Sequence, residues 1–395
     1  MTVYLDHAAT TPMLPAAIAA YAEAMTVVGN PASIHSQGQN AKRMLEEARE
    51  KVAASVGCDP IEVVFTAGGT EAINLGIKGL YWARAPRSRI LVPGGEHHAT
   101  LDTVEWLAAQ EGAQVEWIPL DTLGRIDLTA LEQAIARNPG DVALVTLLMA
   151  NNEVGTVQPI AEVAALAAAH GIPVHVDAVS AYGHLPIDFA ALAMRGVSAL
   201  SVSAHKIGGP VGIGALILSR RATVVPLIHG GGQQRQVRSG TQDVAAAVSF
   251  AVAAGAATAA LPAEQLRLAA LRERLVSEVL ASIPGAVSNG DPAVDGRIAG
   301  NAHFTFSGCE GDSLLFLLDA AGVSVSTGSA CQAGIPEPSH VLRAMGRNEI
   351  EARGALRITL GRTSTEADVD AFLAALPAAF AQASRAGLAD RTPTF

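Results

Sequence analysis

The sequence predicts an α/β chain: a largely parallel sheet of seven strands, followed by a smaller α+β unit. Three observations lead there. Between residues 60 and 218, the β-rich runs "EVVFT", "RILV", "QVEWI", "VALVTLL", "IPVHVDA", "SALSVS" and "GALILS" alternate with stretches rich in Ala, Leu and Glu. Such alternation marks strands joined through covering helices, which makes neighbouring strands parallel and gathers ligands at their carboxyl ends. After residue 262 the texture changes to a long amphipathic stretch, "AEQLRLAALRERLVSEVLASI", and then to isolated strands such as "AHFTFS" and "LRITL" between helices. Finally, 395 residues with 50% apolar and 16% charged side chains suit a globular protein with more than one core.

The elements divide in order. Residues 1–14 lack periodicity and read as an arm packed on one of the units. Residues 15–261 form the large unit and 262–395 the small one, with the boundary at Leu261 and Pro262. The uncharged segment 244–261 approaches the length of a short membrane span, but it is mostly Ala with Gly, Ser and Thr and has no basic flank, so a buried or interface helix is expected and no membrane.

Composition removes other classes. Against 37 acidic residues stand 27 Lys and Arg, net charge -10, with no basic run, so direct nucleic-acid binding is not expected. Asp6 and His7 fall where a secretion signal would carry its apolar stretch, which points to a cytoplasmic location. Cys58, Cys309 and Cys331 are few, far apart and without CxxC spacing, so neither a disulfide framework nor a cysteine-based zinc site is supported.

The chemistry should follow the strands. After "EVVFT", Gly68, Gly69 and Thr70 open a helix, where free N–H groups and the helix dipole suit an anion; an ordinary strand-to-helix turn would look the same. After "RILV", His97 and His98 start another helix, as cleft groups or as surface residues near a cap. Asn151 and Asn152 follow "VALVTLL", and asparagines also simply tie turns together. Asp177 ends "IPVHVD", where a buried carboxylate requires a cation or donor opposite it. Ser203, His205 and Lys206 follow "SALSVS", and a lysine buried at such a place becomes a nucleophilic amine fit for a Schiff base.

Pyridoxal phosphate needs a lysine for its aldehyde, an acid for its pyridinium, a phosphate cradle and a stacking group. Lys206, Asp177, the Gly69–Thr70 turn with Ser203 and His205, and His97 supply these; the rival reading is a structural Lys206–Asp177 ion pair. Cys331, in the small-residue loop "STGSACQAG", is a candidate nucleophile, although cysteine is also a common small core residue.

The motifs "YLDHAATTP", "GNPASIHSQG", "VVFTAGGTEAINLGIKG", "EHHATLD", "NNEVGTVQPI", "HVDAV", "SAHKIGGPVGIGAL", "HGGGQQRQVRSGT", "STGSACQAG", "EPSHVLRAMG" and "LRITLGRT" together resemble the NifS/IscS-type cysteine desulfurases, from about residue 3 to 375. The resemblance implies the class V aminotransferase fold of pyridoxal phosphate enzymes, a homodimer and conversion of L-cysteine to L-alanine. Sulfur would pass to an enzyme cysteine as a persulfide, for delivery to protein acceptors in iron–sulfur cluster assembly or tRNA thiolation. It casts Lys206 as the Schiff-base lysine and catalytic base, Asp177 as the pyridine-nitrogen partner and His97 as the stacking residue. It gives Asn152 to the cofactor O3' and the substrate carboxylate, and Gly69, Thr70, Ser203 and His205 to the phosphate, with Thr241 reaching in from the other subunit. Arg357 becomes the substrate-carboxylate clamp and Cys331 the persulfide carrier. Two positions depart from the pattern: Ser180 stands where glutamine is usual, too short to reach O3' without a bridging water, and Ala204 replaces a glycine. A selenocysteine lyase or transaminase of the same fold, or a scaffold that merely holds the cofactor, would share most of these residues.

Overall fold

The structure is a computed structural model and describes residues 2–328 and 337–389. Strand β1 (Val3–Tyr4) lies in the arm. The large sheet comprises β2 (Val63–Thr66), β3 (Arg89–Pro93), β4 (Gln114–Ile118), β5 (Val142–Leu148), β6 (Val174–Asp177), β7 (Val197–Ser203) and β8 (Gly214–Leu218). Its order is β2-β8-β7-β6-β5-β3-β4. Strands β4, β3, β5, β6 and β7 are mutually parallel, whereas β8 runs antiparallel to both β7 and β2, so the sheet is mostly parallel. Strand order reverses at β3, which places a crevice at the carboxyl ends of β3 and β5.

Helices α1 (Pro15–Ala24), α2 (Ser36–Val56), α3 (Gly69–Ala83), α4 (His98–Glu111), α5 (Leu128–Arg137), α6 (Ile160–Ala168) and α7 (Phe189–Arg195) accompany this sheet. All seven residues of β5, "VALVTLL", are buried, which is why the run shows no polar alternation. A second sheet, ordered β12-β10-β9, is antiparallel and combines β9 (Ala286–Ser288), β10 (Asn301–Phe306) and β12 (Ala355–Thr359). Strand β11 (Val323–Ser324) pairs in parallel with β1.

Helix α8 (Val244–Ser282) passes uninterrupted through Leu261 and Pro262. Its first part buries Ala246, Phe250 and Ala253 in the large core; Leu268, Leu271, Leu275 and Val279 enter a second core with Phe304, Phe306 and Leu356. By length and composition α8 could cross a membrane. It lies instead against α1 and α2. Helices α9 (Gly311–Ala320), α10 (His340–Ala344), α11 (Glu349–Arg353) and α12 (Glu366–Ala389) complete the described fold. The arm engages both units: Leu5 belongs to the second core, while the Thr11 and Leu14 N–H groups donate to the His205 and Gly208 carbonyls of the first.

Beneath the crevice a polar ladder crosses three strands. The fully buried His175 of β6 bonds Thr146 Oγ1 of β5 and Ser201 Oγ of β7, each at 2.9 Å. Burial holds this imidazole neutral, its pKa lowered to about 3. Helix α3 approaches closely because residue 76 is glycine; a Cβ there would lie 2.5 Å from His175 Cδ2. Gly76→Ala therefore presses on a ring tethered at both nitrogens, and we expect a loss of about 1–3 kcal/mol despite the better helix propensity, measured by chemical denaturation.

Candidate active site

Lys206 sits in a single short turn, Ala204–Ile207, between the end of β7 and Gly208 at φ 82. The turn is obligatory because β8 must come back antiparallel beside β7, and it lifts the lysine to the sheet's carboxyl rim. Lys206 Nζ donates to the carbonyls of Ala8 and Ala9, the latter at 2.9 Å. Burial, with a smaller push from Arg357, lowers its pKa to about 8, against the pull of Asp177 and Asp6. With a pKa near 8, roughly a tenth of this amine is neutral near pH 7, far more than for an ordinary lysine, and that fraction is nucleophilic.

Around it is a cleft of about 390 Å³ whose walls include Gly69, Thr70, His97, Asn152, Asp177 and Ser203. It also takes in Ser180, His205, Lys206 and Arg357. Asp177 is 2% exposed and Oδ1 accepts the Val179 N–H at 2.9 Å. Burial raises its carboxyl to about 6, the state expected of an acid awaiting a cationic partner. His97 caps α4, its Nδ1 accepting from the Ala99 N–H at 3.1 Å, and its ring is open to the cleft. Desolvation, aided by Lys206, lowers its pKa to about 4, so the ring is a neutral stacking surface.

At the other end of the cleft, α3 begins at Gly69 after Gly68 at φ 147, a conformation that favours glycine. A Cβ on Gly69 would lie 2.8 Å from Val179 Cγ2 and 3.4 Å from Ser203 Cβ, so only glycine leaves the α3 N-terminus open. Ser203 Oγ, buried and without a partner among the described residues, borders the same space. Free N–H groups, a helix dipole and an unpaired hydroxyl make an anion cradle. His205 stands beside it, its Nδ1 3.1 Å from Thr10 Oγ1 and its pKa lowered to about 4, chiefly by burial.

Arg357 enters from the small unit. Its strand β12 is bridged to Ser326, the Arg357 N–H donating to the Ser326 carbonyl at 2.6 Å. The side chain, 6% exposed, donates from Nη1 to the Asn152 carbonyl and from Nη2 to Asp6 Oδ1, both at 2.8 Å. Among the described residues Asn152 Oδ1 and Arg357 Nε are buried without partners, so both retain bonding capacity toward the cleft. Ser326 and Gly328 line the same cleft, and the chain then continues toward Cys331, which lies outside the described residues.

Ser180 faces both this cleft and an adjoining space of about 30 Å³ shared with His7, Asn152 and His184. Thr241 is not among the residues around the cleft of its own chain; its side chain is exposed. The preceding segment is anchored through Arg238, which pairs with Glu71 at 2.8 Å, and through Gln234, whose amide bonds both the N–H and the carbonyl of Phe65 on edge strand β2. Sequence reasoning missed Asp6, His340 and Glu153. Glu153 is fully buried, 2.5 Å from Ser339 Oγ, with His340 Nδ1 3.9 Å away. The serine and histidine of "EPSHV" and the glutamate of "NNEVG" are the local signals for this cluster.

Comparison with known proteins agrees with the geometry. The chain is 55% identical over 392 residues to an IscS-like cysteine desulfurase of Mycobacterium tuberculosis, covering 98% of each chain. It is 41% identical over 377 residues to cysteine desulfurase IscS of Methanosarcina thermophila, covering 95% of this chain and 91% of the other. Among solved structures, a NifS-like protein superimposes with a TM-score of 0.87 at 34% identity, covering 97% of this chain and all of that one. Another, SspA in complex with cysteine, gives 0.78 at 33% identity, with coverage of 91% and 99%. With residues 3–372 matched by the profile of the Aminotransferase class-V family, the chain belongs to that family, in its NifS/IscS-like branch.

Proposed function

We propose that the chain is a cysteine desulfurase that takes sulfur from L-cysteine with bound pyridoxal phosphate. The observation that carries this reading is the convergence in one cleft of a buried amine of lowered pKa, a buried acid and an open helix N-terminus beside an arginine. The residues fit the cofactor: Lys206 for its aldehyde, Asp177 for its ring nitrogen, His97 for its face, and Gly69, Thr70, Ser203 and His205 for its phosphate. When bound, pyridoxal phosphate supplies an electron sink for bond cleavage at the substrate Cα.

The protein's own groups do the rest. Arg357 and Asn152 take the substrate carboxylate and fix which Cα bond faces Lys206. The neutral Lys206 amine removes and later returns the Cα proton. Asp177, ionised opposite a cation, keeps a proton on the ring nitrogen. The Cys331 thiolate attacks the substrate sulfur: an S–S bond forms, the Cβ–S bond breaks, and its electron pair ends, with a proton, as the methyl group of L-alanine. Cys331 is then left as a persulfide for a protein acceptor. Ser180 is too short to replace a glutamine, so Asn152 is the main direct contact at O3'. Thr241, exposed on its own chain, suits a homodimer in which it completes the partner's phosphate site.

Lys206→Ala should lose the yellow chromophore on desalting and all release of alanine. Cys331→Ser should keep the chromophore but form neither persulfide nor alanine, as checked by mass spectrometry and amino-acid analysis; alanine production without Cys331 would refute the desulfurase reading. Because only the neutral amine attacks an aldehyde, reloading of the stripped protein with pyridoxal phosphate should speed up as pH rises through about 8 and level off above it; absorbance kinetics across a pH series measure this. Mixed dimers of Lys206→Ala and Thr241→Ala chains should regain activity in one of their two sites, measured after co-expression with two affinity tags.

A further inference from the structure

We infer that Asp6 is a positioning residue for Arg357, holding the guanidinium so that its remaining donors face the carboxylate of the incoming amino acid. The inference rests on the assignment of Arg357 to that carboxylate.

The guanidinium is held at two corners. Asp6 Oδ1 takes Nη2 and the Asn152 carbonyl takes Nη1, each at 2.8 Å, while Nε is buried and has no partner among the described residues. Of five N–H donors, two are committed to the protein and three are left, enough for a two-oxygen ligand. Both members are shielded, with side-chain exposures of 6% for Arg357 and 19% for Asp6, so the contact is little screened by solvent. A free-standing arginine with that stem length would sample many rotamers, and fixing it beforehand removes that ordering from the binding step.

A carboxylate on the clamp could instead be a competitor that ligand must displace. The backbone argues against it. Asp6 forms a bridge with Thr359, two residues beyond Arg357 on the same strand. The Thr359 N–H donates to the Leu5 carbonyl at 2.7 Å, the His7 N–H to the Thr359 carbonyl at 3.3 Å, and the Ala8 N–H to Thr359 Oγ1 at 2.9 Å. Tyr4 Oη adds a bond to the Asp6 carbonyl at 2.9 Å. Asp6 and Arg357 thus sit on neighbouring, stitched strips of chain, so the backbone that carries the Asp6 carboxylate cannot move off the clamp without unzipping the arm from β12. The same strip presents the Ala8 and Ala9 carbonyls to Lys206, so the arm sets the relative placement of clamp and amine.

The test uses the cofactor-loaded protein and two small probes, read by the change in its visible spectrum. L-alanine carries an amine and a carboxylate; cysteamine carries an amine and a thiol but no carboxylate. Asp6→Asn should weaken L-alanine about tenfold more than cysteamine, the scale of one misplaced charge-assisted hydrogen bond, cysteamine reporting the effect of the lost charge on Lys206, and Asp6→Glu should recover part of the difference. Asp6→Asn binding L-alanine as tightly as the parent, or more tightly, overturns positioning and makes Asp6 a bystander or competitor. Equal weakening of both probes also overturns it, since that is the mark of a disrupted arm. Arg357→Lys serves as the separate control. If it leaves L-alanine binding intact, the clamp assignment itself fails; if it weakens L-alanine while Asp6→Asn does not, only the inference about Asp6 falls.

Discussion

A lysine ammonium at the mouth of a buried strand is the constraint from which the architecture of this site follows. Removing a charge from water is costly, and the protein meets that cost partly by lowering the pKa of Lys206 and partly by aiming two backbone carbonyls of the arm at its Nζ. Among the described residues no carboxylate is hydrogen-bonded to it. Asp177 and Asp6 act on it only through space, so the amine is stabilised without being locked into an ion pair. A directly paired lysine would be a permanent cation, and a poor nucleophile.

The sheet provides the floor for this arrangement. Parallel strands place their carboxyl ends side by side, so residues far apart in sequence, from Gly69 to Lys206, arrive at one rim through the same local rule. The rim is rigid because what lies under it is neither wet nor purely apolar. His175 joins three central strands through side-chain bonds that complement the backbone ladder, and Gly76 lets α3 press on it. Asp177, two residues beyond His175 on β6, inherits its position from that ladder.

Much of this was legible in the sequence because it follows from strand ends. Once the seven β-rich runs were found, Gly69, His97, Asn152, Asp177, Ser203 and Lys206 were candidates by location, and the cleft contains them all. Thr241 could be singled out only through family resemblance, since its position on its own chain is an exposed loop. Asp6 was invisible because its partner is 351 residues away, and no periodicity reports a contact of that kind. The arm was expected to pack on one unit and in fact touches both, since "LDHAATT" looks irregular when its hydrogen-bond partners are unknown. The burial of Glu153 beside Ser339 and His340 likewise depends on how the two units meet.

The arm also has a consequence for the order in which the site can be assembled during synthesis. Residues 5–8 leave the ribosome long before their seat, β12, Ala355–Thr359, is made. A nascent chain that has completed the first part of α8 already owns the lysine, the acid and the anion cradle, and most of its large core can close around them. It does not yet own the guanidinium, nor the strip that holds the arm's carbonyls over Nζ. The reactive amine therefore exists without its cover while the stretch between Lys206 and β12 is made, and closing the long loop between the arm and β12 is what finally shields it.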